Sequence, residues 1–248
     1  MKKFHRMLAL AMTLVTAACN GEKMAETTNA AEVAVAAVAP PENGDWSTVV
    51  TKTPEGGFLM GNPNAKVKLV EFASMTCHYC ADFEEQGSKS LVDNYVKKGV
   101  VSWEFRNFVR DPMDMVATLL ARCGGEANFF GMTRTLFHDQ KNWVGKLQAS
   151  RPAKLQALQG APAAQQFLTI ADLGGLKTFA AQRGVPRAMA DQCLADQAEI
   201  DKLVQMNSDA GSTYSVTGTP SFVINGAAPA FTGSWEVVEP KIKEALGS

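Results

Sequence analysis

Val67-Lys-Leu-Val-Glu-Phe-Ala-Ser-Met-Thr-Cys-His-Tyr-Cys-Ala-Asp-Phe83 changes pattern twice. Residues 67–72 are short, apolar and rich in β-branched side chains, the signature of a strand. Residues 73–76 form a polar turn. From Cys77 the spacing becomes helical, with Phe83, Leu91, Tyr95 and Val96 among its larger apolar positions. Lys97-Lys98-Gly99 ends that helix: the lysines suit the negative end of the helix dipole, and the glycine suits a C-cap. Residues 100–108 form a second strand. Strand, helix and strand in this order imply a right-handed βαβ crossover. The crossover places Cys77 at a strand-to-helix junction and Cys80 one turn inside the helix.

That position has chemical consequences. The first N–H groups of a helix have no internal partner and carry partial positive charge. A thiolate at Cys77 is stabilised there, below the free thiol pKa of about 8.5. A protonated His78 would add to the effect. Cys80, shielded one turn further in, could attack a mixed disulfide from inside. Two other roles suit a Cys-x-x-Cys pair. Structural zinc needs four ligands, whereas this pair gives two, and His138 has no partner at ligand spacing, so a metal is not expected. An inert short-loop disulfide is the second.

The chain opens with a basic Met1-Lys2-Lys3-Phe4-His5-Arg6, an apolar run over residues 7–15, and Thr16-Ala17-Ala18-Cys19. This is secretory signal composition, too short to span a bilayer. Small residues before Cys19 resemble a lipobox, in which Cys19 would be acylated, although Thr16 stands where Leu is preferred. Ordinary cleavage with a free Cys19 is the alternative. Residues 20–44 lack aromatics and any period that would bury a face, which is the composition of a disordered tether. Segments 45–111 and 206–248 are expected to form one domain, interrupted by a helical insertion over 112–205. The formal net charge of −1 gives no field suited to nucleic acid.

An exported chain sits where disulfides persist. With Cys19 set aside, four cysteines remain and allow three pairings. Cys77 and Cys80 are neighbours on any turn, so they pair most simply with each other, leaving Cys123 with Cys193. Such a structural disulfide would close a loop of about 70 residues, worth roughly 4 kcal/mol. Two unconnected buried thiols are the other reading.

Further along, Val216-Thr-Gly-Thr-Pro-Ser-Phe-Val-Ile-Asn-Gly226 runs a Gly-Thr-Pro into an apolar strand and a tight Asn-Gly turn. Together with the strand, Glu71, the Cys-x-x-Cys and the crossover, it resembles a thioredoxin fold: a central mixed sheet flanked by helices. Residues 111–205 read as helices over 113–123, 128–137, 163–171, 176–183 and 187–206, separated in part by glycine turns. A helical insertion in that fold resembles the DsbA family of bacterial periplasmic thiol oxidases, over nearly all of residues 45–248. The resemblance implies a cis Pro220 facing the cysteines and a Thr219 backbone that pairs with substrate as an added strand. It also implies that Glu71 is a partly buried acid relaying protons to and from Cys80; a solvent-facing strand carboxylate is the alternative. By the same resemblance, Cys123 and Cys193 fall in the inserted helices. The family's usual dipeptide is Pro-His, whereas here it is His78-Tyr79, so redox poise does not carry over.

The implied activity is disulfide donation from Cys77–Cys80 to reduced secreted proteins. Cys77, Cys80, His78 and Glu71 would be catalytic, and Thr219, Pro220 and Tyr79 would touch substrate. No cofactor is expected. A membrane quinone-linked partner of the DsbB type would reoxidise the pair, and a lipid anchor would hold a monomeric enzyme at the periplasmic membrane. An isomerase or reductase kept reduced by another pathway is one rival, and a non-catalytic periplasmic holdase is another.

Overall fold

The computed structural model describes residues 39–154, 156–158 and 160–247. The signal segment, Cys19 and residues 20–38 of the expected tether lie outside the described residues.

Among the described residues, six strands form one mixed sheet in the order β1-β2-β4-β3-β5-β6: β1 Val50–Lys52, β2 Phe58–Met60, β3 Val67–Ala73, β4 Val101–Asn107, β5 Ser221–Ile224 and β6 Phe231–Thr232. The centre is β3, parallel to β4 and antiparallel to β5, with Glu71 opposite Phe105 on one side and Phe222 on the other. A strand covered on both faces needs no polar alternation, which is why Val67–Ala73 is nearly all buried. Val67, Leu69 and Ala73 join the main core, together with Phe83, Trp103, Phe105, Phe129 and Trp235. Val70 and Phe72 face a smaller core with Ala210, Val216 and Val223.

The crossover between β3 and β4 forms as the sequence pattern predicts, but its helix changes pitch. It begins as α1 (His78–Phe83), widens to π geometry over Glu84–Ser88, returns as α2 (Lys89–Leu91), and widens again over Val92–Val96. Gly87 lies inside the first wide stretch. A Cβ there would come within 2.9 Å of Trp235, so glycine lets the last helix pack against this one. Gly99 closes the crossover at φ +71°, a conformation that favours glycine.

Among the described residues, seven α-helices lie between β4 and β5: α3 (Pro112–Cys123), α4 (Gly125–His138), α5 (Gln140–Lys154), α6 (Ala163–Leu173), α7 (Leu176–Ala181), α8 (Arg187–Leu194) and α9 (Gln197–Tyr214). The chain ends in α10 (Trp235–Leu246). Asp111 caps α3 by accepting from the Met113 and Asp114 N–H groups, with Pro112 in the first turn. Expected as one helix, residues 187–206 divide into α8 and α9. The cause is Asp196, whose carboxylate accepts from the Ala198 and Glu199 N–H groups and starts a new helix. Five of the strands and α-helices lie outside those the sequence pattern picks out: β1, β2, β6, α5 and α10. The three strands are only two or three residues long, and α5 is polar with little amphipathic period. Cys123 at the end of α3 is joined to Cys193 in α8, with an S–S length of 2.01 Å and Cα atoms 5.7 Å apart.

Candidate active site

The site gathers where β3 ends, α1 begins and the turn before β5 returns. Cys77 is the N-cap residue of α1, with extended backbone and no side-chain cap. Cys80 lies one turn in and is fully buried. Both are present as thiols. The Thr219–Pro220 bond is cis, and the Cys77 thiol donates to the Thr219 carbonyl at 3.2 Å. A contact spanning 142 residues thus closes the site.

The two thiols are pushed in opposite directions. Cys77 is lowered to about 5, chiefly because the Cys80 thiol donates to its sulfur; the Thr219 side chain, the Cys80 backbone N–H and the Arg110 charge add to this, while burial opposes it. The Thr219 hydroxyl itself is buried and makes no hydrogen bond of ordinary geometry. Cys80 is raised well above the ordinary thiol value by burial, with the hydrogen bond it gives Cys77 reinforcing the effect. Of the two thiols, Cys77 is therefore the one that ionises readily, and Cys80 holds its proton.

Glu71 lies on β3 beneath the pair and is 1% exposed. Its ladder neighbour Leu69 pairs with Trp103, so Glu71 and Trp103 project from the same sheet face. The Trp103 indole Nε1 donates to the Glu71 carboxylate at 3.0 Å. Burial pushes the Glu71 pKa well up, and the Glu84 charge adds to it. Glu84 is itself raised by burial, against the pull of Arg134, whose Nε donates to it at 2.9 Å.

His78 and Tyr79 sit on the outer side of the helix start, their rings 3.8 Å apart between centroids. Tyr79 is 62% exposed. His78 lines the mouth of a cavity of about 510 Å³ whose walls include Glu84, Arg134, His138, Gln140 and Lys141. The Cys123–Cys193 disulfide belongs to α3 and α8 and takes no part in this geometry.

Three side chains escape the sequence reading and yet shape the turn before Cys77. Asp114 accepts from the Met75 N–H at 2.7 Å and from the Arg110 N–H at 2.9 Å, and burial lifts its pKa to about 6. Arg110 donates to the Ser74 and Thr76 hydroxyls. Gln140 donates to the Met75 and Cys77 carbonyls at 2.8 and 2.9 Å. All three come from outside the crossover, 34 to 65 residues along the chain, and no local pattern marks them.

This arrangement has known counterparts. The family model described as thioredoxin matches residues 53–244. A protein-disulfide isomerase from Novosphingobium aromaticivorans is 37% identical, covers 77% of this chain and 97% of its own, and superposes with a TM-score of 0.72. The chain belongs to the thioredoxin family. Its thioredoxin fold is shared with alpha-DsbA1 of Wolbachia pipientis, at 24% identity over 76% of this chain and 90% of that one, with a TM-score of 0.56. A Rickettsia bellii protein described as a candidate protein-disulfide oxidoreductase is 28% identical over 72% of this chain, and one from Rickettsia felis is 25% identical over 76%. The chain spans about 60% of the length of those curated relatives. Both the mixed sheet and the helical insertion expected of the sequence are those of this thioredoxin-family architecture.

Proposed function

We propose that this chain is a thiol:disulfide oxidoreductase that donates the Cys77–Cys80 disulfide to reduced secreted proteins. The observation that carries the reading is the split between the two thiols, with Cys77 held near 5 and Cys80 raised. A substrate thiolate attacks Cys77 Sγ of the disulfide. The S–S bond breaks, a mixed disulfide forms, and Cys80 leaves as a thiolate that takes a proton, with Glu71 as the relay. A second substrate thiolate then attacks the substrate sulfur. The substrate disulfide forms, Cys77 leaves as a stabilised thiolate, and two electrons now rest on the enzyme pair. A leaving group with a low pKa favours the reduced enzyme, so the pair is oxidising. His78 and Tyr79 set that poise from the outer side of the helix, and the Thr219 backbone before cis Pro220 pairs with substrate as an added strand.

The setting belongs to the same proposal: export to the periplasm, acylation at Cys19, a monomeric enzyme, and reoxidation by a DsbB-type membrane partner. The name of the Novosphingobium relative, an isomerase, favours a second reading in which the pair is kept reduced and reshuffles disulfides. Cys80→Ala is the test of activity. Expressed in a Gram-negative host, it should accumulate mixed disulfides with exported proteins through Cys77, and a chain that accumulates none is not an oxidoreductase of either kind. Trapping the redox state of the wild-type pair in cells separates the two readings, since mostly oxidised supports donation and mostly reduced supports isomerisation.

A further inference from the structure

The loop before Cys77 has one backbone hydrogen bond of its own, from the Cys77 N–H to the Ser74 carbonyl at 3.1 Å, and is otherwise held by side chains that include two from the helical insertion. The Met75 peptide is gripped on both edges: its N–H by the Asp114 carboxylate of α3, at 2.7 Å, and its carbonyl by the Gln140 amide of α5, at 2.8 Å. The same Gln140 nitrogen reaches the Cys77 carbonyl at 2.9 Å. Both partners are carbonyls, so only the NH₂ end of the amide satisfies them. Gln140 is 6% exposed. Buried amides of this kind hold a fixed place, because losing the bonds would strand the Met75 carbonyl and take one of two donors from the Cys77 carbonyl.

The Cys77 carbonyl is also the acceptor of the first hydrogen bond of α1, from the Ala81 N–H at 3.2 Å. Fixing that carbonyl fixes the orientation of the helix start. On that orientation depend the Cys80 N–H directed at the Cys77 sulfur and the approach of Cys77 Sγ to the Thr219 carbonyl. Gln140 is the first residue of α5, just after Asp139 closes α4, and it also lines the cavity beside His78. The α4–α5 junction therefore delivers one donor to the backbone of the reactive cysteine.

We propose that Gln140 is a positioning residue: its amide, supplied by the helical insertion, holds the Met75 and Cys77 carbonyls so that the first turn of α1 presents its N–H groups to the Cys77 sulfur. This rests on the thiol–disulfide reading above. It gives the insertion a part in tuning the nucleophile as well as in building a core.

Gln140→Met, with similar length and no donor, is the test. Thiolate absorbance against pH should show the Cys77 midpoint raised by about one unit, and the glutathione equilibrium constant should shift roughly tenfold toward a less oxidising pair. A thermal melt establishes that the variant is folded. A folded Gln140→Met with the wild-type midpoint and wild-type equilibrium overturns the proposal. Should the variant not fold, the wild-type chain decides by nuclear magnetic resonance: slowly exchanging Gln140 side-chain amide protons that shift on oxidation of Cys77–Cys80 support it, and freely exchanging, unshifted protons overturn it. Failure of the functional reading looks different, because wild-type Cys77 would then titrate at the ordinary thiol value whatever stands at 140.

Discussion

Cys77 and Cys80 have the same side chain, sit three positions apart and are both buried, yet ionise in opposite directions, because the Cys80 thiol donates to Cys77 while burial outweighs every other influence on Cys80. The sign of the consequence for stability follows from linkage. In the folded reduced chain Cys77 ionises at about 5, against an ordinary value of 9.0. Its pKa is depressed by folding, so the stabilisation is fully present above the unfolded value and is lost as pH falls through about 5. Cys80, raised, costs stability only above the ordinary thiol value, outside that window. The melting temperature of the reduced chain minus that of the disulfide form should therefore rise between pH 5 and pH 8, by roughly 5–10 °C. A difference that stays flat with pH would show that the thiolate is not stabilised. Glu71 runs the other way. Its raised pKa penalises the fold as pH climbs above the ordinary 4.5. Glu71→Gln keeps an acceptor for the Trp103 indole and removes the ionisation. The variant should melt about 3 °C or more above wild type at pH 8, match it near pH 4, and exchange disulfides more slowly. Equal melting at both pH values would mean that the carboxylate is solvated.

At the scale of elements, the crossover and the insertion are stabilised by different means. The crossover relies on apolar burial and on Gly87 and Gly99, which admit Trp235 and Trp46 against the backbone. The insertion is stapled between α3 and α8 by Cys123–Cys193, across a separation of 70 residues. Replacing both cysteines with Ala should lower stability by about 4 kcal/mol by the loop-entropy account, read as a shift in denaturant midpoint. Disulfide exchange by the folded variant should stay at the wild-type rate, since the staple lies outside the site. Lost exchange at full stability would mean that these cysteines carry electrons. Strand β3 and the α1 start were legible because β-branched runs and helix-start chemistry are local. Helix α5 was not, because its buried positions are few and its period is weak, and the division between α8 and α9 turns on the single cap at Asp196.

Across the molecule, the buried Arg122 ties two helices of the insertion to the β2–β4 side of the sheet. Arg122 on α3 donates to the Asn107 side chain on β4, to the Gly56 carbonyl before β2, and to Glu199 on α9, and it lies over the Phe58 ring at 5.0 Å. Arg122→Leu should cost about 3 kcal/mol, because it strands Asn107 and the Gly56 carbonyl within the core and leaves Glu199 with Lys52 alone among its cations. Denaturant unfolding measures this, and a loss below about 1 kcal/mol would mean that the bridge is solvated. By itself, the sequence determined the strand-to-helix junction that places Cys77, the apolar strand leading out of Thr219-Pro220, and the helical character of the insertion, all of which are written in residues close together along the chain. Only the tertiary structure decided that Glu71 is buried against Trp103, that Thr219 meets Cys77, and that Asp114 and Gln140 grip the turn before Cys77. Those contacts join residues 32 to 142 positions apart, and burial, the main force raising Glu71 and Cys80, exists only once the sheet and the insertion have closed over them.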